Sequence, residues 1–302
     1  MELRDLRYFV HIAELGSFTR AAAVLGIAQP SLTRHMQKLE EHLGSPVFTR
    51  ANRGVRLTEA GQILLDSATR ILRDVDRTTH DVGRLRQVPS GKVVLGMPPT
   101  LCPVLLPLLI SRMRIEYPAV QFEIMPAGSI VLPEWLRSGK LDLAVTADIA
   151  QSRLLITDQL TREEMVLVTP PGQRGKKSSV SAKELLAMPL ILTEAIRTMC
   201  NMLLAPHGVV VMGEMVLNSL ETIRLMVQDG SCSTILPYSI TRRDHALKLV
   251  DVHRLLDGSI QRQLVIATSE GRAVTSATEA AIGMIRSVTQ DIEARDGFSL
   301  RS

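Results

Sequence analysis

The opening part of the chain carries apolar residues at helical spacing, interrupted by polar residues every few positions. A first apolar stripe is formed by Leu3, Leu6, Phe9, Val10 and Ala13. This stripe predicts a first helix, which Gly16 can end. Ser17 can cap a second helix, Phe18–Leu25, which Gly26 breaks. The pattern therefore predicts two short helices joined by a tight turn.

A third helix, between Ala28 and Gly44, has one apolar and one polar face. Its apolar face is formed by Leu32, Met36, Leu39 and Leu43. Because that face must lie inward, the polar residues of the first turns project outward. These outward residues are Gln29, Pro30, Ser31, Thr33, Arg34, Gln37 and Lys38. A small residue at Ala22, a turn glycine at Gly26 and an anchoring leucine at Leu32 complete the pattern of a helix-turn-helix.

A helix-turn-helix places the start of its second helix against base edges in the major groove of duplex DNA. Arg34 can donate two hydrogen bonds to guanine, and Gln37 can bond adenine through both amide atoms. Ser31 and Thr33 can contact phosphates, bases or a thymine methyl group. The sequence therefore predicts double-stranded DNA as the partner of the third helix.

The segment Pro46–Thr58 predicts two short strands around Asn52-Arg53-Gly54, where glycine permits the turn. Arg50, Arg53 and Arg56 would lie beside the phosphate backbone or in a minor groove, where they supply affinity that does not depend on base sequence. A basic hairpin without a function would show the same pattern. The neighbouring helix-turn-helix favours the interpretation as a DNA-binding wing.

A long helix is predicted from Thr58, its N-cap, to about Gln87, because this stretch lacks proline and repeats its seam positions in steps of four and three. The seam consists of Leu64, Ala68, Ile71, Val75, Thr78, Val82 and Leu85. So narrow a stripe favours pairing with the same helix of a second copy. The alternative is packing against the downstream domain of its own chain. Pro89-Ser90-Gly91 ends the helix, and a new domain begins there.

Beyond this hinge, strand patterns alternate with helical patterns, which predicts a parallel sheet. The first lobe is predicted to have strands at 92–97, 120–125 and 141–145 and helices at 103–116 and 131–138. After a linking stretch around 158–162, a second lobe has strands at 165–169, 190–193, 209–216 and 232–237 and helices from 181, at about 197–204 and at 219–228. A strand at 263–268 and a helix at about 274–293 return to the first lobe.

These elements predict an α+β multidomain protein. It consists of a winged helix-turn-helix at residues 1–58, a linker and dimerisation helix at 59–90, and a two-lobed α/β effector domain at 91–302. The first lobe is expected at about residues 91–160 and 268–302, and the second at about 161–267. Strand ends and helix starts then face a cleft between the lobes, where ligands of open α/β sheets bind.

Residues at these strand ends and helix starts are candidates for effector contacts. They are Thr100, Leu101, Cys102, Ser129 and Thr146 in the first lobe, and Thr193, Arg197 and Thr198 in the second. Unpaired N–H groups and positive dipole ends at helix starts favour a small anionic effector. Each hydroxyl can equally be an ordinary helix cap, and Arg197 can equally form a surface ion pair.

Composition narrows the class of protein further. The net charge of the 302-residue chain is only +4, but the segment from Gln29 to Arg56 contains five lysine or arginine residues and only two acidic residues. Three widely spaced cysteines without a metal-ligand pattern indicate reduced thiols, and no metal or cofactor is expected. The amino-terminal segment builds neither a signal-peptide core nor a membrane span, so we expect a cytoplasmic protein without a membrane partner.

An enzyme and a transport component are two other classes of protein that could carry a two-lobed α/β domain. An enzyme that used Cys102 as its nucleophile would need a base, and the sequence pairs the thiol with none of His207, His245 and His253. A solute-binding transport component would share the two lobes, but it would need export and would gain nothing from a helix-turn-helix. The pattern favours a ligand-responsive regulator.

Three motifs in about the first sixty residues resemble the amino-terminal domain of LysR-type transcriptional regulators: LRYFV, GSFTRAAAVLGIAQPSLTRHMQKLEEHLGSPVFTR and RGVRLTEAG. Ala28, where serine is frequent in that family, removes a capping hydroxyl, and His35 in the third helix is expected to alter operator preference. The remainder is similar to the effector domain of the same family, which resembles periplasmic solute-binding proteins. GSIVLPEWLRSGKLDLAV and NSLETIRLM are similar to segments of its nitrogen-assimilation-control branch.

The resemblance implies how such a protein works. The linker helix would form a homodimer, often extended to a homotetramer, that binds an interrupted dyad in double-stranded DNA. A small-molecule effector in the inter-lobe cleft would change this binding. An activator of this kind would also contact RNA polymerase.

Overall fold

A computed structural model describes residues 1–50, 54–82, 89–147, 154–175, 177–256, 260–295 and 297–299 of the chain. The chain forms two compact units that divide near residue 88. Across the described ranges, none of the helices combines the length and the apolar character needed to cross a membrane.

Three helices begin the amino-terminal unit, and their ends follow the local sequence. They are α1 (Leu3–Leu15), α2 (Phe18–Leu25) and α3 (Gln29–Leu43). Gly16 and Gly26 end α1 and α2 in the left-handed conformation, with φ of 60° and 65°. The Ser17 hydroxyl caps α2 by accepting a hydrogen bond from the Arg20 N–H at 3.3 Å. Ala28 provides no side-chain cap for α3, as expected from the missing hydroxyl.

The predicted apolar face of α3 lies in the core of this unit, with one exception. The buried residues of the core are Leu6, Phe9, Ile12, Ala21, Ala22, Leu32, Met36, Leu39, Val47 and Ala68. Leu43 was also expected inside, but it is 39% exposed. It is the last residue of α3, and Gly44 ends the helix in the left-handed conformation, with φ of 67°.

The predicted hairpin is confirmed as β1 (Phe48–Arg50) paired with β2 (Val55–Leu57) in antiparallel register. Gly54 allows the hairpin to pack closely, because a Cβ atom there would lie 2.2 Å from the Gly16 carbonyl oxygen. The next N–H, of Val55, donates to that same oxygen at 3.0 Å. Of the predicted turn residues, Asn52 and Arg53 lie outside the described residues.

The long helix α4 (Glu59–Val82) starts at Thr58, whose hydroxyl accepts a hydrogen bond from the Gly61 N–H at 3.0 Å. The first part of the predicted seam, Leu64, Ala68 and Ile71, packs in the core of the amino-terminal unit. These three residues therefore pack within their own chain. The continuous dimer seam predicted from the sequence had assigned them to a contact with a second copy. Further along the seam, Val75 and Thr78 are not part of that core, and Leu85 lies outside the described residues.

The second unit is built on strands that belong to both lobes. They are β3 (Gly91–Met97), β4 (Val120–Pro126), β5 (Leu143–Ala147), β6 (Leu155–Thr169), β7 (Ser179–Val180), β8 (Ile191–Leu192), β9 (Met215–Val216), β10 (Thr234–Pro237), β11 (Asp251–Leu255) and β12 (Gln261–Ser269). The main sheet has the order β4-β3-β5-β12-β6-β11-β7, with β10 also paired to β6, and β8 pairs with β9 separately.

The sheet is mixed rather than parallel as expected. β3 is parallel to β4 and β5, but β12 runs antiparallel to β5 and β6, and β10 and β11 run antiparallel to β6. The predicted linking stretch at 158–162 lies inside β6, a single strand of 15 residues. Residues 264–267 of β12 pair with β5, so the expected second lobe at 161–267 is too long at its carboxyl end. Local hydropathy does not encode strand direction, which explains why a parallel sheet was expected.

Helices cover both faces of the two lobes. They are α5 (Cys102–Glu116), α6 (Leu132–Arg137), α7 (Ala182–Leu186), α8 (Glu194–Leu204), α9 (Leu220–Gln228), α10 (Tyr238–Ala246) and α11 (Ser276–Glu293). α5 and α11 share the core of the first lobe, whereas α8, α9 and α10 share that of the second. Neither α10 nor β11 was predicted. The strand expected at 209–216 is reduced to β9.

One buried histidine of the second lobe has both ring nitrogens engaged. His253 is 2% exposed, its Nδ1 lies 2.6 Å from the Lys177 carbonyl oxygen, and its Nε2 lies 3.1 Å from the Thr169 hydroxyl. The carbonyl can only accept, so the proton resides on Nδ1 and the hydroxyl donates to Nε2. Burial lowers the pKa of His253, and the ring is therefore held neutral.

We expect His253 to make the protein less stable in mild acid. The unfolded chain takes up a proton near the ordinary pKa of 6.5, while the folded ring resists it. Its contribution to the free energy of unfolding is complete above pH 6.5 and falls below it, by at most about 1.4 kcal/mol per pH unit, until the lowered pKa is reached. Urea unfolding at several pH values should show a smaller acid loss for His253→Gln than for wild type. The exposed His207→Gln variant should match wild type, and equal acid loss in all three would contradict this role.

Candidate DNA-binding surface and effector cleft

The predicted DNA-contacting residues of α3 lie together on its outward face. Exposed side chains there are Gln29, Pro30, Ser31, Arg34, Gln37 and Lys38, and Thr33 is half-buried. The Thr33 hydroxyl donates to the Gln29 carbonyl at 3.0 Å, and the Gln29 amide donates to the same hydroxyl at 3.3 Å. The hydroxyl of Thr33 is thus occupied within the helix, while Arg34 and Gln37 are presented outward.

The charges on this face are available to a partner. Arg34 and Lys38 form neither a hydrogen bond nor an ion pair with any residue that the structure describes. The carboxylate of Glu40 is directed elsewhere, because it accepts hydrogen bonds from the N–H groups of Val47 and Phe48 at 2.8 and 3.3 Å. The outward face of α3 therefore offers cationic donors without a nearby carboxylate bonded to them, as contact with phosphates and base edges requires.

His35 lies on a different side of α3 and does not join this surface. Its Nδ1 lies 2.8 Å from Asp5 Oδ1, and its ring meets Tyr8 edge-on with 5.2 Å between the ring centroids. Burial acts to raise the pKa of Asp5, but hydrogen bonds from the Glu2 N–H and from His35 outweigh it and lower the pKa. His35 therefore fixes α3 against α1, and a direct effect on base reading, as expected from its position in the sequence, is not supported.

The hairpin presents two of its three predicted arginines. Arg50 and Arg56 are exposed, and Arg53 lies outside the described residues. Arg50 pairs with Val55 and Arg56 with Thr49, so the two guanidinium groups leave opposite faces of the ribbon. They are consequently not equivalent, although both are accessible.

A cavity of about 950 Å³ lies between the two lobes of the second unit. Of the predicted effector residues, Thr100, Ser129, Thr193 and Thr198 line it. The structure does not place the other four in its lining. Leu101 is buried in the core of the first lobe, the Cys102 thiol donates to the Pro98 carbonyl at 3.6 Å, Thr146 is buried at the end of β5, and Arg197 pairs with Glu194 at 2.8 Å.

Sequence reasoning missed the buried charge of the cavity, Arg262. Its Nη2 donates to the Thr100 hydroxyl at 3.1 Å, and its Nη1 lies 3.5 Å from the sulfur of Met199. Arg262 stands directly before the apolar run QLVIAT, which was predicted as a strand from Gln263 onward. The sequence signal that could have identified it is an arginine next to a buried strand. Asn218, Arg137 and Met202 also line the cavity and were not predicted.

Arg262 is held by a buried carboxylate where the chain crosses between the lobes. Glu163 Oε2 lies 2.8 Å from Arg262 Nε and 2.6 Å from Nη2, and both side chains are almost fully buried. The other Glu163 oxygen accepts a hydrogen bond from Ser239. Thr100 belongs to the first lobe and Ser239 to the second, so the network joins both lobes beside the cavity.

The cysteines do not provide a reactive thiolate. Burial raises the pKa of Cys102, raises that of Cys200 to about 12, and raises that of Cys232 to about 11. His253 is bonded to Lys177 and Thr169, and His245 Nδ1 lies 3.3 Å from the Val250 carbonyl oxygen. The described part of the chain also contains no cluster of histidine, cysteine and carboxylate side chains that could hold a metal ion.

The two sites together define a class of protein: a helix-turn-helix regulator with a separate ligand-binding unit. Residues 3–62 match the family described as bacterial regulatory helix-turn-helix protein, lysR family. Residues 86–290 match the LysR substrate binding domain. The chain therefore belongs to the LysR family of transcriptional regulators.

Individual relatives support this assignment over most of the chain. A probable RuBisCO transcriptional regulator of Guillardia theta is 31% identical, over 92% of this chain and 93% of the relative. The nitrogen assimilation regulatory protein Nac of Klebsiella aerogenes is 31% identical, over 80% of each chain. The solved structure of full-length OxyR from Pseudomonas aeruginosa, a cysteine-to-aspartate variant, is 27% identical with a TM-score of 0.71, covering 96% of this chain and 95% of that one.

We expect Arg34 and Arg50 to differ in what they contribute to DNA binding. Arg34→Ala should cost about 1 to 3 kcal/mol on a duplex selected by the protein and less on a scrambled duplex, because a bidentate contact to a base is lost. Arg50→Ala should weaken binding to both duplexes alike and lower the salt slope by about one unit, because one phosphate contact is lost. Fluorescence titrations at several salt concentrations measure both effects. Equal losses on both duplexes for Arg34→Ala would instead assign it to phosphate contact.

Proposed function

We propose that this LysR-type regulator binds an interrupted dyad in double-stranded DNA as a homo-oligomer, and that a small molecule in the inter-lobe cleft changes this binding. The outward face of α3 is the observation that supports DNA binding. Arg34, Gln37 and Lys38 are exposed there while Leu32 and Met36 are fixed in the core. A helix so oriented can enter the major groove with its reading side chains free.

The wing supplies the part of the affinity that is independent of sequence. Arg50 and Arg56 are exposed on opposite faces of the β1–β2 ribbon, and we propose that at least one contacts a phosphate next to the groove that α3 enters. Because its proposed partner is DNA, we propose that the protein works in the compartment that contains its target genes. If it activates transcription, a contact with RNA polymerase follows from that role.

We propose that the distal part of α4 pairs with the same helix of a second copy. The first seam residues are used within the amino-terminal core, but the heptad spacing continues through Val75 and Thr78, which are not part of that core. An apolar stripe on a long helix is most stable when a partner covers it. A dimer brings two copies of α3 to two half-sites, which explains the proposed dyad, and a tetramer would double this arrangement.

For the second unit we propose an effector rather than a substrate. The cavity has the volume of a small-molecule site, and both lobes contribute side chains to its wall. The raised pKa values of the three cysteines argue against a thiolate nucleophile. A ligand that binds one arrangement of the lobes more tightly than another can shift the DNA-binding equilibrium by that difference in affinity. We expect an anionic or other acceptor group of this effector to lie near Thr100, Ser129 and Thr193.

The position of the dimer contact can be tested with Val75→Asp. A carboxylate in the paired seam would be buried without a partner, so sedimentation should show dissociation, and operator affinity should fall by roughly a hundredfold or more. Asp66→Lys, at an exposed position of the same helix, changes a charge outside the seam and should leave the assembly intact. Unchanged assembly in a folded Val75→Asp protein would exclude α4 as the dimer contact.

A further inference from the structure

We infer that the effector is a mainly apolar molecule whose single polar end is a hydrogen-bond acceptor carrying at most one negative charge. This inference rests on the proposed function, because it concerns the ligand of the same cleft. It narrows the expected small anion to one class of compound and excludes polyanionic metabolites. The walls of the cavity, its ion pairs and its hydrogen-bond donors support it independently.

The walls of the cavity are mostly apolar. The first lobe contributes Pro98, Pro99, Ile130, Val131 and Pro133, and the second contributes Ile196, Met199, Met202, Leu203 and Leu220. Two of these side chains, Ile130 and Met202, are 68% and 60% exposed. Covering such surface with an apolar ligand is favourable, because it removes apolar area from water. Methionine side chains also adapt to ligands of different shape.

Each charged side chain of the wall already has an ion-pair partner. Those described by the structure are Arg262, Arg137 and Glu194. Arg262 pairs with buried Glu163, Arg137 pairs with Glu134, and Glu194 pairs with Arg197. A ligand with several carboxylates or phosphates would therefore bury negative charge without an uncompensated cation from the described residues. That burial is unfavourable, so the cleft selects against polyanions.

The start of α8 does not offer a free anion site either. The N–H of Glu194 donates to the Asn218 amide oxygen at 3.0 Å, and the N–H of Ile196 donates to the Thr193 hydroxyl at 3.1 Å. These caps satisfy two of the N–H groups that would otherwise bind an anion. The expectation that helix starts select an anion is therefore weakened for this helix.

Four of the uncharged polar groups in the wall keep a hydrogen-bond donor for a ligand. Thr100, Ser129 and Thr193 each use the hydroxyl oxygen as an acceptor, from Arg262, from the Ala147 N–H and from the Ile196 N–H respectively. Each O–H hydrogen is left to donate. Asn218 likewise accepts through its oxygen and retains its NH₂ group. Donors from both lobes thus favour an acceptor atom on the ligand, such as a carbonyl or a single carboxylate.

The first experiment uses anilinonaphthalene sulfonate, a fluorescent probe with an apolar body and one anionic acceptor group, on the full chain. Wild-type protein should bind it with a rise in fluorescence. Met202→Glu and Ile130→Asp, in opposite lobes, should each weaken binding by roughly tenfold or more. Leu186→Glu changes an exposed apolar residue of the second lobe that does not line the cavity, and it should bind the probe as wild type does. Unaltered binding by both cleft variants would overturn the inference.

The second experiment compares competitors with one, two and three carboxylates. Octanoate should displace the probe at a concentration roughly tenfold lower than octanedioate, which has the same chain and a second carboxylate, and citrate should not displace it. Displacement by octanedioate or citrate at lower concentration than by octanoate would overturn the apolar class while leaving the cleft as a ligand site. If neither cleft variant affects the probe and no competitor displaces it, the cleft itself fails as a site, and the effector part of the proposed function fails with it.

Discussion

Burial of one side of α3 is the constraint on which DNA recognition depends. Leu32, Met36 and Leu39 are fixed in a core with α1 and α2, so packing sets the rotation of α3 about its axis. Arg34 and Gln37 then have to face outward. The contact of His35 with Asp5 holds the same helix from another side. A helix that could rotate would lose the geometry that reading a base edge requires.

In the second unit, the corresponding constraint is the pair of strands that cross between the lobes. β6 runs through both, β12 lies beside it, and Glu163 and Arg262 form their buried ion pair on these two strands. Removing one partner of such a pair would leave a buried charge, which is strongly destabilising. Thr100 and Ser239, which belong to different lobes, both hydrogen-bond to this ion pair. A ligand that contacts Thr100 therefore contacts a hydrogen-bond network that joins the two lobes. That arrangement gives a physical route from ligand binding to the angle between the lobes.

Much of the fold was predictable where local signals were strong. Glycines in the left-handed conformation and the hydroxyl of Ser17 set the helix ends of the amino-terminal unit, and these were found. α10 was missed because its residues are mainly polar and it is held by tertiary packing of Tyr238 and Ile240. A cleft between the lobes was predicted, and half of the residues predicted to contact an effector line the cavity there. Arg262 was missed because its partner Glu163 lies 99 residues away in the sequence, beyond the reach of any local pattern.

The central claim is that the outward face of α3, presented twice by a dimer, reads a specific DNA sequence. It is tested most directly by incubating the purified full-length protein with a pool of random-sequence duplexes and sequencing those that bind through successive rounds. The account predicts enrichment of two inverted half-sites whose centres lie about one helical turn, or a multiple of it, apart. A bound pool with the same base composition as the starting pool, at every salt concentration used, would contradict it.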